Sequence, residues 1–158
     1  MTRPYAKDII SWRYEPPYDI YGHQDQEEDR SIDYLVNDEN GFFAAIHDGE
    51  LIGFRSFGDD ARVSGGNYDG PHLDTGGGLR PDLTGKGLGA EVILQGLQFG
   101  SSIFRTRKFR VTIAGFNERA QKVCRRLGFQ ESDRFHRTKD GKEFVIMTLD
   151  HLKGEYTG

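Results

Sequence analysis

The chain has 158 residues, enough for a sizeable core, and residues 1–158 are read as a single domain. No run approaches the roughly 18 apolar residues of a membrane span, and Met1-Thr2-Arg3-Pro4-Tyr5 has no apolar signal core. A net charge of -4 argues against a protein built to hold nucleic-acid backbone, and a lone cysteine, Cys124, excludes an intrachain disulfide and makes a cytoplasmic location the expectation.

Tyr5 to Tyr14 is predicted as a short amphipathic helix, with Ala6, Ile9, Trp12 and Arg13 at helical spacing and Pro16-Pro17 as its stop. Pro17 to Tyr21 follows as an aromatic loop, and Gln24 to Val36 as a surface helix with Ile32, Leu35 and Val36 as its apolar residues. Phe42 to Ile46 and Leu51 to Phe57 read as two strands of a hairpin, turned by Asp48-Gly49. Gly58 to Gly70 reads as a long polar loop. Pro71 to Arg80 reads as an extended segment in which Gly76-Gly77-Gly78 implies a bulge or the close approach of a ligand.

Ala90 to Phe104 is the longest predicted helix. Ile93, Leu97, Gly100 and Phe104 form a stripe that Leu88, Val92, Phe99 and Ile103 widen, so burial against a sheet is expected. Phe109 to Ala114 alternates as a strand. Asn117 is a good N-cap for a helix over Glu118 to Leu127, with Gly128 as its C-terminal left-handed residue. Phe135 to Arg137 and Phe144 to Leu149 close the chain as an antiparallel pair around Asp140-Gly141. The fold class is therefore α/β. The sheet is mixed and mostly antiparallel, and the long helix joins two parallel neighbours by a right-handed crossover.

The chemistry concentrates in Leu79-Arg80-Pro81-Asp82-Leu83-Thr84-Gly85-Lys86-Gly87-Leu88-Gly89-Ala90. Alternate glycines are costly inside regular structure, and they stand where a helix opens with free N–H groups and a positive dipole end. That is the local physics of a phosphate or pyrophosphate seat. A Walker loop fails, because Gly87 follows Gly85-Lys86 and Arg80 lies five residues before Gly85. A dinucleotide fingerprint is literally present as Gly85, Gly87 and Ala90, but the ribose-binding acid expected about 20 residues on is missing.

The loop resembles the pyrophosphate motif of the GNAT family of acetyltransferases, Arg/Gln-x-x-Gly-x-Gly/Ala, mapped onto Thr84 to Gly89. A second block, Asn117 to Phe129, resembles that family's Asn-x-x-Ala-x-x-x-Tyr-x-x-x-Gly-Phe helix. The likeness runs from Phe42 to Leu149 and implies a single-domain GNAT-like fold with a parallel, splayed pair of strands. It implies acetyl-CoA as cosubstrate and acetyl transfer to a primary amine of a small molecule or peptide, by direct attack in a ternary complex. The cofactor-binding residues it implies are Gly78, Leu79, Arg80, Thr84, Gly85, Lys86, Gly87, Leu88, Gly89, Ala90, Asn117 and Arg125. Gly77 would also present backbone to the pantetheine arm, and Lys122 and Arg126 are further cations for the adenosine phosphates.

Two positions depart from the pattern. Thr84 stands where the family has Arg or Gln, and Cys124 where it has the tyrosine that protonates the leaving thiolate. Cys124 is read either as that acid, as a nucleophile, or as a core residue. Asp74 and His72 are the candidate bases for deprotonating the amine. Tyr18, Tyr21 and Tyr68 are read as lining the acceptor cleft or as ordinary aromatics, and Asn117 as a pantetheine ligand or as a cap. His23, His47, His136 and His151 show no metal spacing. The expected partners are acetyl-CoA and an amine, with no nucleic acid and no membrane; homodimerisation is open. A non-catalytic CoA-binding sensor is the alternative function, and a dinucleotide oxidoreductase a remoter one.

Overall fold

The computed structural model describes residues 1–21 and 27–153. His23, the first turn of the second predicted helix at Gln24 and the side chain of Tyr21 lie outside the described residues. Helix α1 (Arg3–Ser11) is capped by Thr2, whose hydroxyl accepts from Tyr5 N, and buries Ala6, Ile9 and Ile10. It ends well before the predicted Pro16-Pro17 stop. Its last carbonyls are taken by other groups: Arg13 donates to Ile10 O at 2.8 Å and Trp12 N to Ile9 O at 3.1 Å. Trp12 therefore leaves the helix and its ring meets Phe54. Helix α2 (Glu28–Val36) buries Ser31, Ile32 and Leu35.

Strands β1 (Phe42–His47) and β2 (Glu50–Phe57) form the expected hairpin. Asp48 and Gly49 both adopt positive φ, 49° and 78°, which matches the twist of the strands they join. Strand β3 (Leu73–Leu79) runs through the three glycines without the expected bulge, in continuous antiparallel register with β2 from Gly53↔Leu79 to Phe57↔Thr75. The glycines are there for clearance. A Cβ on Gly77 would strike the Phe54 carbonyl, and one on Gly78 would lie 2.8 Å from the Phe54 ring.

Helix α3 (Gly89–Phe104) crosses to strand β4 (Phe109–Ala114), which lies parallel to β3. Helix α4 (Glu118–Arg126) and strands β5 (Gln130–His136) and β6 (Glu143–Leu149) complete the chain. The sheet order is β1-β2-β3-β4-β6-β5, with one parallel pair. Strand β5 begins five residues earlier than predicted. Only Phe135 on it is even partly covered, so its charged stretch reads as loop in sequence although it pairs with β6 along its length.

Two cores result. One, under α1 and α2, gathers Ala6, Ile9, Ile32, Leu35 and Phe42. The other, under α3 and α4, gathers Phe57, Leu97, Phe109, Val111, Phe129, Val145 and Met147. Helix α3 buries less than its apolar girth implies: Leu97, Gly100 and Ser101 are buried, but Leu88, Phe99, Ile103 and Phe104 stay 41–49% exposed. Gly96 and Gly100, one turn apart, let β2 come close. A Cβ on Gly96 would lie 3.0 Å from Arg55 Cδ, and one on Gly100 would overlap the Phe57 ring. Phe57 is thus seated against the helix backbone, and the flanking apolar residues are lifted away from the sheet.

Candidate active site

Strands β3 and β4 pair only at Leu73↔Phe109 and Asp74↔Arg110 and then diverge, leaving the Gly76–Leu79 stretch without a partner on that side. At the open end stands the glycine loop. Gly85 and Gly87 hold φ of +73° and +78°, the left-handed region that a side chain disfavours. Cβ atoms on Gly87 and Gly89 would meet nothing within 4 Å, so open space lies in front of this backbone. Helix α3 begins here with no side-chain cap, whereas Thr2 caps α1 and Asn117 caps α4. Uncapped amides at the positive end of a 16-residue helix suit an anion.

A cavity of about 510 Å³ opens along the splay. Its lining includes Thr84, Asn117 and Arg119, the β3 residues Gly76, Gly77, Gly78 and Leu79, and Thr75, Arg55, Ile93 and Cys124. The residue in the family's Arg/Gln position, Thr84, donates its hydroxyl to Pro81 O at 2.8 Å and so braces the turn. A cation reaches the loop from elsewhere. A Cβ on Gly85 would lie 3.4 Å from Arg119 Nη1, and the Arg119 guanidinium stacks 4.4 Å over the Tyr18 ring. Arg119 carried no signal in the sequence; it sits in the first turn of α4, and only the packing of α4 beside the loop brings it there.

Several sequence-derived candidates lie elsewhere. Arg80 turns back, donating to Asp82 at 2.6 Å and to Leu51 O at 3.0 Å, and does not line the cavity. Lys86 and Leu88 are exposed on the loop, and Gly89 and Ala90 form the first turn of α3. Lys122, Arg125 and Arg126 are exposed on the outer face of α4; Arg125 acts on Glu131. Asn117 caps α4 by accepting from Ala120 N at 3.1 Å and also lines the cavity.

Asp74 is buried and fully engaged. Arg110 donates to both of its carboxylate oxygens, at 2.6 and 2.9 Å, and Arg62 to one at 2.8 Å. Both of its oxygens are thus occupied by guanidiniums. Asp74 pins the loop, since Arg110 also donates to Tyr68 O and Asp69 O. His72 bonds Asp150 at 2.7 Å at the start of β3, the end away from the glycine loop. Neither candidate base lines the cavity. Tyr68 bridges Val63 N and Thr112 and is not in the lining, whereas Tyr18 is.

Cys124 is buried on the α4 stripe and lines the cavity interior. Burial pushes its thiol up to about 11, against a smaller opposing pull from Arg55. Arg55, close enough to act on it, is half-buried and lines both this cavity and a second of about 680 Å³ that Gly96, Leu79 and Leu88 also line; burial pushes its guanidinium down to about 10. Tyr34, Phe42 and Phe54, in contact ring to ring, and Tyr14 also line the cavity as an aromatic wall. Asp60 is the one carboxylate in the lining among the described residues, and Tyr34 donates to it at 2.7 Å. Burial first, then the Asp60 bond and charge, raise the Tyr34 phenol to about 12, which keeps it a donor. Asp60 was hidden in a stretch that reads only as polar loop. Among the described residues no cluster of three or more His, Cys, Asp or Glu side chains could hold a metal, and no helix is long and apolar enough to cross a membrane.

A parallel pair that splays beside a glycine loop and an uncapped helix defines an acyl-CoA-type transferase cleft, and the comparisons agree. Residues 6–129 match the model of the acetyltransferase (GNAT) family, and the chain belongs to that family. No curated protein matches it in sequence. Among solved structures it resembles a spermidine N-acetyltransferase SpeG chimera from Vibrio cholerae and hSSAT, at 17% identity over 94% of this chain and 92% of that one, with a TM-score of 0.72. It also resembles yncA from Salmonella typhimurium, a putative acetyltransferase solved with acetyl-CoA (16% identity, 99% and 88% covered, TM-score 0.62). A third is the ribosomal-protein alpha-N-acetyltransferase RimL, solved with coenzyme A in a disulfide to one of its cysteines (13% identity, 94% and 88% covered, TM-score 0.64).

Proposed function

We propose that residues 1–158 act as one acetyltransferase domain that binds acetyl-CoA and passes its acetyl group to a primary amine of a small molecule or peptide. The observation that carries this is a cavity whose lining brings together Thr84 at the start of the glycine loop, the open β3 edge, and aromatic residues beside one carboxylate, Asp60. The yncA and RimL structures, which hold acetyl-CoA and coenzyme A, support the cosubstrate. The amides from Gly85 into α3, with Arg119, take the diphosphate. The unpaired edge of Gly76–Leu79 takes the amides of the pantetheine arm. The RimL disulfide puts a cysteine at the carrier's sulfur in that protein, and Cys124 is the cysteine that lines this cavity.

The acceptor enters from the aromatic side. Its ammonium is drawn to Asp60, whose carboxylate Tyr34 orients. One proton passes from the ammonium to Asp60, directly or through water, and on to solvent, and the free amine nitrogen then attacks the thioester carbon to form the C–N bond. The nitrogen becomes more acidic as it does so, and Asp60 takes its proton directly or through water. The C–S bond then breaks with its electron pair on sulfur.

Calorimetry with acetyl-CoA, followed by a screen of primary amines for release of the CoA thiol, tests the reading. Saturable binding and turnover of at least one amine are expected. An absence of binding at millimolar acetyl-CoA would end it. A buried thiol where the family carries its acid favours a second reading, a CoA-binding sensor without turnover. Binding without turnover of any amine would select that one.

A further inference from the structure

We infer that Arg55 is the group that receives the negative charge of the departing CoA thiolate, so that the acyl transfer proceeds without an acid to protonate the sulfur. This rests on the acetyl-CoA reading above. Arg55 rises from β2 on the same face as Phe57 and passes through the clearance left by Gly96 of α3 and Gly77 of β3. Cβ atoms at those two glycines would lie 3.0 Å from Arg55 Cδ and from Nη1, respectively. Two helix and strand positions therefore lack side chains where this guanidinium passes.

Arg55 is half-buried and has few partners. Nε donates to Thr75 Oγ1 at 3.1 Å, and Thr75 in turn donates to Ser56 O. Among the described residues no carboxylate lies within ion-pair reach of Arg55, whereas buried Arg110 is held by Asp74. Half-buried and without a counter-ion, this guanidinium keeps its charge available to a ligand in the cavity it lines. Arg55 lines the cavity with Thr75, Ile93 and Cys124, and it is close enough to Cys124, where the reading above sets the carrier's sulfur, for the two charges to act on each other.

The chemistry needs a charge acceptor there. As the C–N bond forms and the C–S bond breaks, the electron pair goes to sulfur while the amine proton leaves toward Asp60. Cys124 is poorly matched to protonate that sulfur, because burial makes its thiol a weaker acid than a free thiol of about 8.5. A fixed cation stabilises charge that develops only as the bond breaks, which is the kind of interaction that raises kcat. Arg55 is thus a catalytic residue that acts as an electrostatic partner and transfers no proton.

The test compares the dissociation constants of CoA, whose thiol ionises, and acetyl-CoA, whose sulfur cannot, by calorimetry from pH 7 to 9. An adjacent cation lowers the bound thiol below its free value. CoA should therefore tighten relative to acetyl-CoA as the pH rises toward the free thiol's about 8.5, by about tenfold for each unit the bound thiol is lowered. Wild type and Arg55→Lys are expected to show this gain, and Arg55→Gln to show a ratio constant within twofold. A purely structural arginine would weaken both ligands together and leave the pH dependence of their ratio unmoved. Equal pH dependence in wild type and Arg55→Gln overturns the inference, as does a flat ratio in wild type if Arg55→Gln does not fold. Loss of acetyl-CoA binding itself would end the proposed function and this inference together; acetyl-CoA binding with a flat ratio ends this inference alone.

Discussion

At Gly87 the backbone holds φ +78° with nothing within 4 Å of where a Cβ would point. Gly87→Val would cost about 1–2 kcal/mol of local strain, too little to unfold a typical domain. It would also fill the space a diphosphate needs. Acetyl-CoA affinity is expected to fall by at least tenfold with the thermal transition still cooperative, and unchanged affinity in calorimetry would show that the diphosphate lies elsewhere. Cys124 makes a prediction about pH. Its thiol is raised from 9.0 to about 11 in the fold by burial, so between those values the unfolded chain releases a proton that the native state keeps. Stability from this group is therefore fully present below pH 9 and is lost as the pH rises toward 11. Between pH 9 and 10, wild type should lose about 1 kcal/mol more than Cys124→Ala in denaturant unfolding. Equal slopes would mean the thiol is less buried than it is drawn. Glycine and cysteine were legible from their own identities; Arg55, Arg119 and Asp60 were not, because nothing in a residue's immediate neighbours distinguishes a surface arginine from one seated across two glycines.

The elements divide in the same way. The β1–β2 hairpin and the capped start of α4 follow from a few adjacent residues, and the structure bears them out, whereas α1 starts at Arg3 behind a Thr2 cap, two residues before the predicted Tyr5. The β3 strand and α3 do not follow so simply, because their glycines serve neighbours distant in sequence. Gly100→Leu is expected to lower stability by about 1–3 kcal/mol, since the added carbons compete with the Phe57 ring for one volume. A neutral result in thermal unfolding would show that α3 can shift off the sheet at no cost. Asp74→Asn should cost about 3–5 kcal/mol by leaving buried Arg110 without its charge partner. Its acetyl-transfer rate below the unfolding transition should keep the wild-type pH profile. A lost ionisation in that profile would restore Asp74 as the base.

At the scale of the whole molecule, the β3–β4 splay separates two halves, each with its own core. A ligand that spans the splay binds the native state alone. Acetyl-CoA at 100 times its Kd is expected to add about 2.7 kcal/mol to unfolding stability, and an unchanged thermal midpoint at saturation would contradict a cleft between the two cores. Residues 6–129 carry the family match, which takes in both motif blocks and stops at Phe129, before the closing β5–β6 pair. The order of elements, the parallel crossover and the glycine loop were readable from sequence, because each depends on hydrophobic period, turn chemistry or helix-end amides within a short window. Which charges face the cavity was decided only by tertiary packing. Arg55 meets Thr75 across 20 positions, and Arg110 takes Asp74 out of use across 36. Local spacing carries no record of such distances, so the carboxylate read as a candidate base in the sequence is found between two guanidiniums in the fold, and an arginine that no local signal marks is found in the cavity lining.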